Sequence, residues 1–177
     1  MLRGRLVEIR PLVEADAEAL LALRVRSRSY LEPWEPSRDD SWLTAGAQLE
    51  DARRSAELWE QGRAYHFAIL AGGALVGRVA LNEVVRGVFQ NAYLGYFVDE
   101  AAAGRGYATE AVRLAVRFAF EHAGLHRVQA AVVPRNAASA RVLEKAGFHE
   151  EGLARRYLLI NGAWEDHRIF AITAEEL

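Results

Sequence analysis

The apolar positions fall into two periods along the chain. Residues 6–10, 65–71, 75–85, 92–98, 126–133, 156–160 and 164–172 are short runs rich in β-branched and aromatic side chains, the pattern of strands. Residues 14–26, 45–61, 107–122 and 136–146 repeat at helical spacing. In the first helix Ala17, Leu20, Leu21 and Leu23 supply the buried side. Leu49, Ala52, Ala56 and Trp59 do so in the second, and Val112, Ala115, Val116 and Ala119 in the third. Punctuation agrees with the division. Gly72-Gly73 and Asn161-Gly162 are hairpin turns, Gly62, Gly124 and Gly147 follow helices, and Asn136 stands where a helix N-cap belongs. Residues 30–36, YLEPWEP, are expected as a loop because two prolines restrict them. The strand at 126–133 follows a helical crossover and is therefore expected parallel to 92–98. The sum is an α/β, or α+β, three-layer fold: about seven mostly antiparallel strands with about four helices on both faces.

Composition narrows the function without naming it. The 177 residues fit one domain, and 51% are hydrophobic, enough for a sizeable core. A net charge of −2 does not mark a nucleic-acid binder. The absence of cysteine excludes disulfides, thiolate metal sites and an acyl-cysteine intermediate. His66, His122, His126 and His149 lack metal-ligand spacing, so no metal is expected. Arg3, Arg5 and Glu8 interrupt any signal-peptide pattern and no apolar run is long enough for a membrane span, so a soluble cytoplasmic protein is expected.

One stretch carries candidate chemistry. The strand 94–99 leads into Gly104-Arg105-Gly106-Tyr107-Ala108-Thr109-Glu110, which opens into the third helix. The first N–H groups of a helix have no intrahelical partners and its dipole favours an anion there, so strand, glycine loop and helix make a phosphate cradle. Ala108 before Thr109 excludes a P-loop, and Thr109 stands where a dinucleotide fingerprint needs its third small residue. On the loop alone, a tight turn with glycines for steric reasons is an equal reading.

The loop and helix Gly104-Arg105-Gly106-Tyr107-Ala108 resemble the acetyl-coenzyme A loop of the GNAT acetyltransferases. Asn136-x-x-Ser139 and Leu143-Glu144-Lys145-x-Gly147-Phe148 are similar to the next segment of that family in its ribosomal-protein N-acetyltransferase (RimJ/RimL) form. Four further stretches, 30–36, 84–89, 93–96 and 157–167, resemble the RimJ type, which acetylates the N-terminal alanine of a small-subunit ribosomal protein. The likeness runs from about residue 5 to 173. Two positions depart from it. Ala103 replaces the usual glutamine or arginine, and Leu143 stands where many GNAT enzymes carry a tyrosine general acid.

The resemblance implies an acetyl-CoA-dependent enzyme that transfers by direct attack in a ternary complex. It implies that the backbone of residues 104–109 holds pyrophosphate, that the strand at Phe97 and Val98 pairs with the pantetheine arm, and that Asn136 bonds the same arm. A backbone N–H near Val98 would serve the oxyanion and Ser139 the leaving sulfur. Asn136 as a plain cap and Ser139 as an ordinary first-turn serine remain the bland readings. Glu83 is the candidate base, a solvated surface charge being its bland reading and Asp166 and His167 the other polar candidates, and strand alternation puts Glu83 and Asn82 on opposite faces without saying which faces the cleft. Tyr30, Trp34, Tyr96 and Tyr157 are implied cleft walls, Tyr30 and Trp34 being equally suited to plugging the core edge. The implied acceptor is the N-terminal α-amine of a ribosomal protein. A small amine (polyamine or antibiotic) and a non-catalytic CoA-binding role in ribosome assembly are the alternatives.

Overall fold

A computed structural model describes residues 1–36 and 39–177. Among these residues eight strands form one sheet: β1 (Leu2–Arg3), β2 (Glu8–Pro11), β3 (Tyr65–Ala71), β4 (Ala74–Val85), β5 (Asn91–Val98), β6 (Arg127–Val132), β7 (His149–Ile160) and β8 (Ala163–Thr173). Their order is β1-β2-β3-β4-β5-β6-β8-β7, and only β5 and β6 run parallel. Five α-helices accompany them: α1 (Ala17–Arg26), α2 (Arg28–Leu31), α3 (Ala45–Glu60), α4 (Tyr107–Glu121) and α5 (Ala137–Ala146). None of the helices is long and apolar enough to cross a membrane.

The α/β architecture is the expected one, with an eighth strand and a fifth helix. The extra strand, β1, is two residues long, too short to show a period. The extra helix, α2, takes Tyr30 and Leu31 out of the expected loop; Pro33 lies just past its end. Both hairpin turns form as read, with positive φ at Gly72 and Gly73 (57° and 82°) and at Asn161 and Gly162 (48° and 81°). That pair of left-handed residues matches the twist of the strands it joins.

Helices α4 and α5 pack on one face of the sheet. Val112, Ala115, Val116 and Ala119 of α4 are buried against Ile9, Ile69, Val79 and Leu94. An aromatic group closes the far end of this layer, with Trp59 edge-on to Tyr65 and Phe67 at 5.0 and 4.9 Å. On the other face Leu20 and Leu23 of α1, Leu31 of α2 and Ala52 of α3 meet Ala68, Leu70 and Phe97. Burial of each such leucine contributes about 1.5–3 kcal/mol. The buried stripe of α3 is turned from the expected one: Gln48, Ala52 and Ser55 are buried and Ala56 is exposed. Each of the two buried polar side chains makes a hydrogen bond, although Gln48 Oε1 is buried without a partner. Gln48 Nε2 donates to the Trp42 carbonyl (2.7 Å), and Ser55 Oγ donates to the Asp51 carbonyl (2.7 Å).

Helix α4 is tied to the N-terminal segment by one carboxylate. Glu110 accepts from the backbone N–H groups of Arg5, Leu6 and Val7 at 2.9, 2.6 and 2.7 Å. A Cβ on Gly4 would collide with the same carboxylate, so the chain passes it as glycine. Burial pushes the Glu110 carboxyl up, but the N–H groups of Val7, Leu6 and Arg5 outweigh it and hold it below the ordinary 4.5.

A carboxyl whose pKa is lower in the folded state stabilises the fold above its ordinary pKa. That contribution is lost as pH falls through the folded value. Glu110→Gln removes the charge from these bonds and is expected to cost about 1–3 kcal/mol near pH 7. Thermal melts from neutral pH down through pH 4 check this. The gap between parent and variant is expected to narrow on the acid side, and a constant gap would reject the ionic role.

Candidate active site

β5 and β6 are paired for three residues only, Asn91 with Arg127, Ala92 with Val128 and Tyr93 with Gln129. Beyond that point β6 continues against β8, as far as Val132 opposite Arg168, while β5 continues against β4 alone. The two parallel strands therefore part, and Leu94–Val98 presents an unpaired backbone edge to the notch between them. The direction of its groups follows from β4. Asp99 N–H donates to the Val76 carbonyl at 2.8 Å, which by alternation turns the N–H of Val98 away from β4 and into the notch. Gly77 shows the same geometry from the other side: a Cβ there would run into the carbonyl oxygen of Phe97, the partner of that N–H in one peptide plane.

Each parting strand is followed by a helix whose N-terminus points at the notch, the place where ligands bind in open sheets with parallel strands. At α4 the N-cap is Gly106 with φ 82°, and Gly104 precedes it with φ 75°. The first intrahelical bond is donated by Glu110 to Gly106, so the N–H groups of Tyr107, Ala108 and Thr109 point out of the helix end. A Cβ on Gly104 would enter open space with nothing within 4 Å. That space, the bare backbone and the helix dipole fit a phosphate. Arg105 is exposed beside them, and the Tyr107 side chain packs on the core, leaving its backbone for a ligand. Below the loop, Asp99 accepts from Arg26 and, at 2.9 Å, from Ser27 Oγ, which fixes the loop to the end of α1.

At α5, Asn136 Oδ1 caps the helix by accepting from Ser139 N–H at 3.1 Å. The cap engages the oxygen, so the capping and ligand readings coexist. Ser139 Oγ lies 2.7 Å from the hydroxyl of Tyr96. Tyr96 was expected as a cleft wall, and the structure places its hydroxyl on Ser139. Burial pushes this phenol up to about 12 although its bond to Ser139 works to lower it. Leu143, the position that departs from the family, is wholly buried in the core.

The opposite face of β5 carries a different set. Even-numbered β5 residues face α4 and α5, whereas Tyr93, Gly95 and Phe97 face the other way. Phe97 is buried there with the Arg24 guanidinium 4.1 Å over its ring, so its side chain is core and its backbone alone borders the notch. Asn82 also lies on this face. Its Oδ1 is 3.0 Å from His66 Nε2 and its Nδ2 donates to the Tyr93 carbonyl at 3.3 Å. His66 Nδ1 in turn accepts from Arg78 at 2.7 Å, and burial with the Arg78 charge lowers His66 to about 4. A neutral His66 with its proton on Nε2 follows, which leaves Asn82 committed on both ends of its amide.

Glu83 is exposed with φ 48° at a bulge that separates the Asn82–Tyr93 and Val85–Asn91 pairs. The extra residue breaks the alternation on which the opposite-faces expectation for Asn82 and Glu83 rested. Tyr157 is brought near Tyr93 and Glu83. Burial raises its phenol, with smaller contributions from those two groups. A second bulge, where Asp166 Oδ1 accepts from Arg156 N–H at 2.8 Å, shapes the strand carrying Tyr157. Tyr30 packs at the edge of the α1–α3 core. Trp34 has the Arg135 guanidinium 5.6 Å from its ring. Arg135 also donates to Glu165 (2.7 Å) and to the Pro33 carbonyl (3.2 Å), and Asn161 Nδ2 donates to the Glu32 carbonyl (2.9 Å). These bonds pin the 30–36 segment against the entry to α5 and the β7–β8 hairpin. Arg135 was missed by sequence reasoning, since it acts through tertiary contacts that leave no local pattern.

The family model for the acetyltransferase (GNAT) domain matches residues 6–149. The chain belongs to the GNAT acetyltransferases, and it is an acetyl-CoA-dependent N-acetyltransferase of the RimJ/RimL type. It is 45% identical over 174 residues to the probable N-acetyltransferase YjcK of Bacillus subtilis, covering 97% of this chain and 96% of that protein. Identity to the [Ribosomal protein uS5]-alanine N-acetyltransferase of Escherichia coli is 34% over 170 residues, 95% of this chain and 88% of that one. Among solved structures, Mycobacterium smegmatis RimJ in complex with CoA-disulfide superposes with a TM-score of 0.93 at 37% identity, covering 97% of this chain and 83% of that chain.

The phosphate reading of the loop is checked by a matched pair at Gly104. Asn and Asp both tolerate a left-handed backbone and differ in charge alone. Gly104→Asp is expected to weaken CoA binding by at least about fivefold more than Gly104→Asn, since a like charge beside phosphate costs on the order of 1 kcal/mol or more. Calorimetric titration with CoA reads the difference. Equal affinities would place the phosphates elsewhere.

Proposed function

We propose that this enzyme acetylates the N-terminal α-amine of a ribosomal protein, alanine being the residue modified, by direct attack in a ternary complex. The observation that carries the reading is the 34% identity, over nearly the whole chain, to the uS5-alanine enzyme of E. coli. Acetyl-CoA supplies the acetyl thioester and a thiol as leaving group. The residues of the chain divide the remaining work between the two faces of β5.

Backbone N–H groups at 107–109, helped by Gly104, Arg105 and Gly106, hold the pyrophosphate. The free edge of β5 at Phe97 and Val98 takes the amide-bearing arm as an added strand, and Asn136 bonds the same arm. The Val98 N–H donates to the thioester oxygen as negative charge develops there. On the α5 side the Ser139 hydroxyl donates a hydrogen bond to the departing sulfur. A thiol ionises near about 8.5, so the sulfur leaves as a thiolate and takes its proton from water. On the opposite face Glu83, acting through water, receives the proton of the attacking nitrogen. A free α-amine has a pKa of about 7.7–8.0, so a weak base suffices. Tyr93, Tyr157 and Trp34 line the acceptor's approach, and Asn82, held by His66, fixes the strand beneath it. The site works in the cytoplasm, where ribosomal-protein termini are made.

A small amine would use the same cleft, and a non-catalytic CoA-binding role would use the donor half alone. Two peptides separate the first reading from the other two: one with a free N-terminal alanine and no lysine, one with a blocked N-terminus and an internal lysine. Intact-mass measurement after incubation with acetyl-CoA is expected to show one added acetyl group on the first peptide only. No addition to either, with CoA bound, would move the function to a small amine or to assembly. Ser139→Ala is expected to lower kcat on the reactive peptide by about ten- to a hundredfold while the KM for acetyl-CoA stays within about twofold.

A further inference from the structure

Tyr96 reaches Ser139 from the strand that borders the notch. Its hydroxyl oxygen is 2.7 Å from Ser139 Oγ, where either oxygen can donate, and 3.1 Å from the Ser139 carbonyl oxygen, which can only accept and so competes for the single phenol hydrogen. A serine in the first turn of a helix has competing uses for its proton, since its hydroxyl can turn back to a backbone carbonyl of the preceding turn. A hydroxyl that aims at a sulfur in the notch must be kept from doing so. Ser139 N–H is already engaged by Asn136, and Leu143, one turn further along α5, offers no hydroxyl.

We propose that Tyr96 is a positioning residue: it donates its hydroxyl hydrogen to Ser139 Oγ and so commits the Ser139 O–H to the notch, as donor to the coenzyme A sulfur. The inference rests on the reading of Ser139 as the sulfur's donor and deepens it. The shorter of the two contacts is the one to Oγ. An oxygen that accepts there has its own hydrogen left to point elsewhere. Burial keeps the phenol protonated through the whole neutral range, with its pKa at about 12. A thiol ionises well below that, near about 8.5, so Tyr96 keeps its proton and no proton passes down the pair. Two hydroxyls in series also polarise one another, which strengthens the terminal donor.

The test uses CoA alone and needs no acceptor. A donor aimed at the sulfur favours the thiolate, so the thiol of bound CoA is expected to titrate about half a unit to one unit below that of free CoA. Thiolate absorbance followed against pH at saturating CoA reads this value for the parent, Tyr96→Phe, Ser139→Ala and the double variant. Phe keeps the ring that packs on the core and removes the oxygen alone, and melting temperature and CoA affinity are taken for each protein. Tyr96→Phe is expected to return part of the shift, Ser139→Ala all of it. The double variant is expected to match Ser139→Ala, because Tyr96 has nothing to position once the serine hydroxyl is gone. A thiol titration in Tyr96→Phe that is parental, or shifted further than the parent's because Tyr96 had been holding the serine hydrogen, overturns the positioning role and leaves the serine's role intact. An equal effect of Tyr96→Phe with and without the serine overturns it too, in favour of a general effect of the cavity. A parental titration in Ser139→Ala removes the serine from the sulfur and the proposal with it.

Discussion

Parallel strands β5 and β6 share hydrogen bonds over three residues and then separate, and a backbone edge left unpaired inside a sheet is costly unless something binds it. The sheet is arranged to maintain that separation. β6 is held on its other side by six paired positions with β8, and β5 by seven with β4. Each strand is thus anchored from its far side, away from the gap. The two helices that follow these strands begin where the strands part. Their unsatisfied N-terminal groups therefore collect at the same place as the free edge, and one structural choice sets out both an anion cradle and a strand-like acceptor for amides.

Helix α4 has two duties at its first turn that conflict electrostatically. The outward N–H groups favour an anion, and Glu110 brings a negative charge to the same turn. The conflict is removed by direction: Glu110 turns back and is neutralised by three N–H groups of the N-terminal segment. Leu6 also comes close to Gly106, within 3.3 Å of where a Cβ would stand. The segment at residues 4–7 thus supports the glycine loop from behind, and the loop's geometry depends on chain about a hundred residues away in sequence.

Much of this was legible in the sequence, and the limits have physical causes. The glycine loop, the N-cap at Asn136 and the Asn161-Gly162 turn are local devices, so residue type at fixed spacing revealed them. The parallel pairing of β5 with β6 followed from the crossover rule, but the point where it stops did not, because no local signal records where two strands stop pairing. The face of Glu83 was not legible, since alternation fails at a bulge and the bulge is set by its neighbours. Tyr96 shows the same limit. An aromatic residue in a half-buried strand reads as a wall, and its hydroxyl gains a role only from a serine that the chain brings back 43 residues later. The buried Gln48 and Ser55 turn α3 away from its apolar stripe, their side chains bonded to the Trp42 and Asp51 carbonyls, and an apolar period does not record such bonds.

The division of β5 into two faces has a further consequence for how such a protein changes over time. The groups proposed to hold the donor lie along the free edge of β5 and at the first turns of α4 and α5, two helices packed on the main core. Tyr93, Tyr157, Glu83 and the 30–36 segment ride on the other side, at bulges, on the surface and on a loop pinned by a few side-chain bonds. Substitution on that second side perturbs little of the packing that supports the first. Acceptor preference is therefore free to drift under selection while the donor machinery is inherited unchanged, and one scaffold can give rise to enzymes that share a reaction and differ in what they modify.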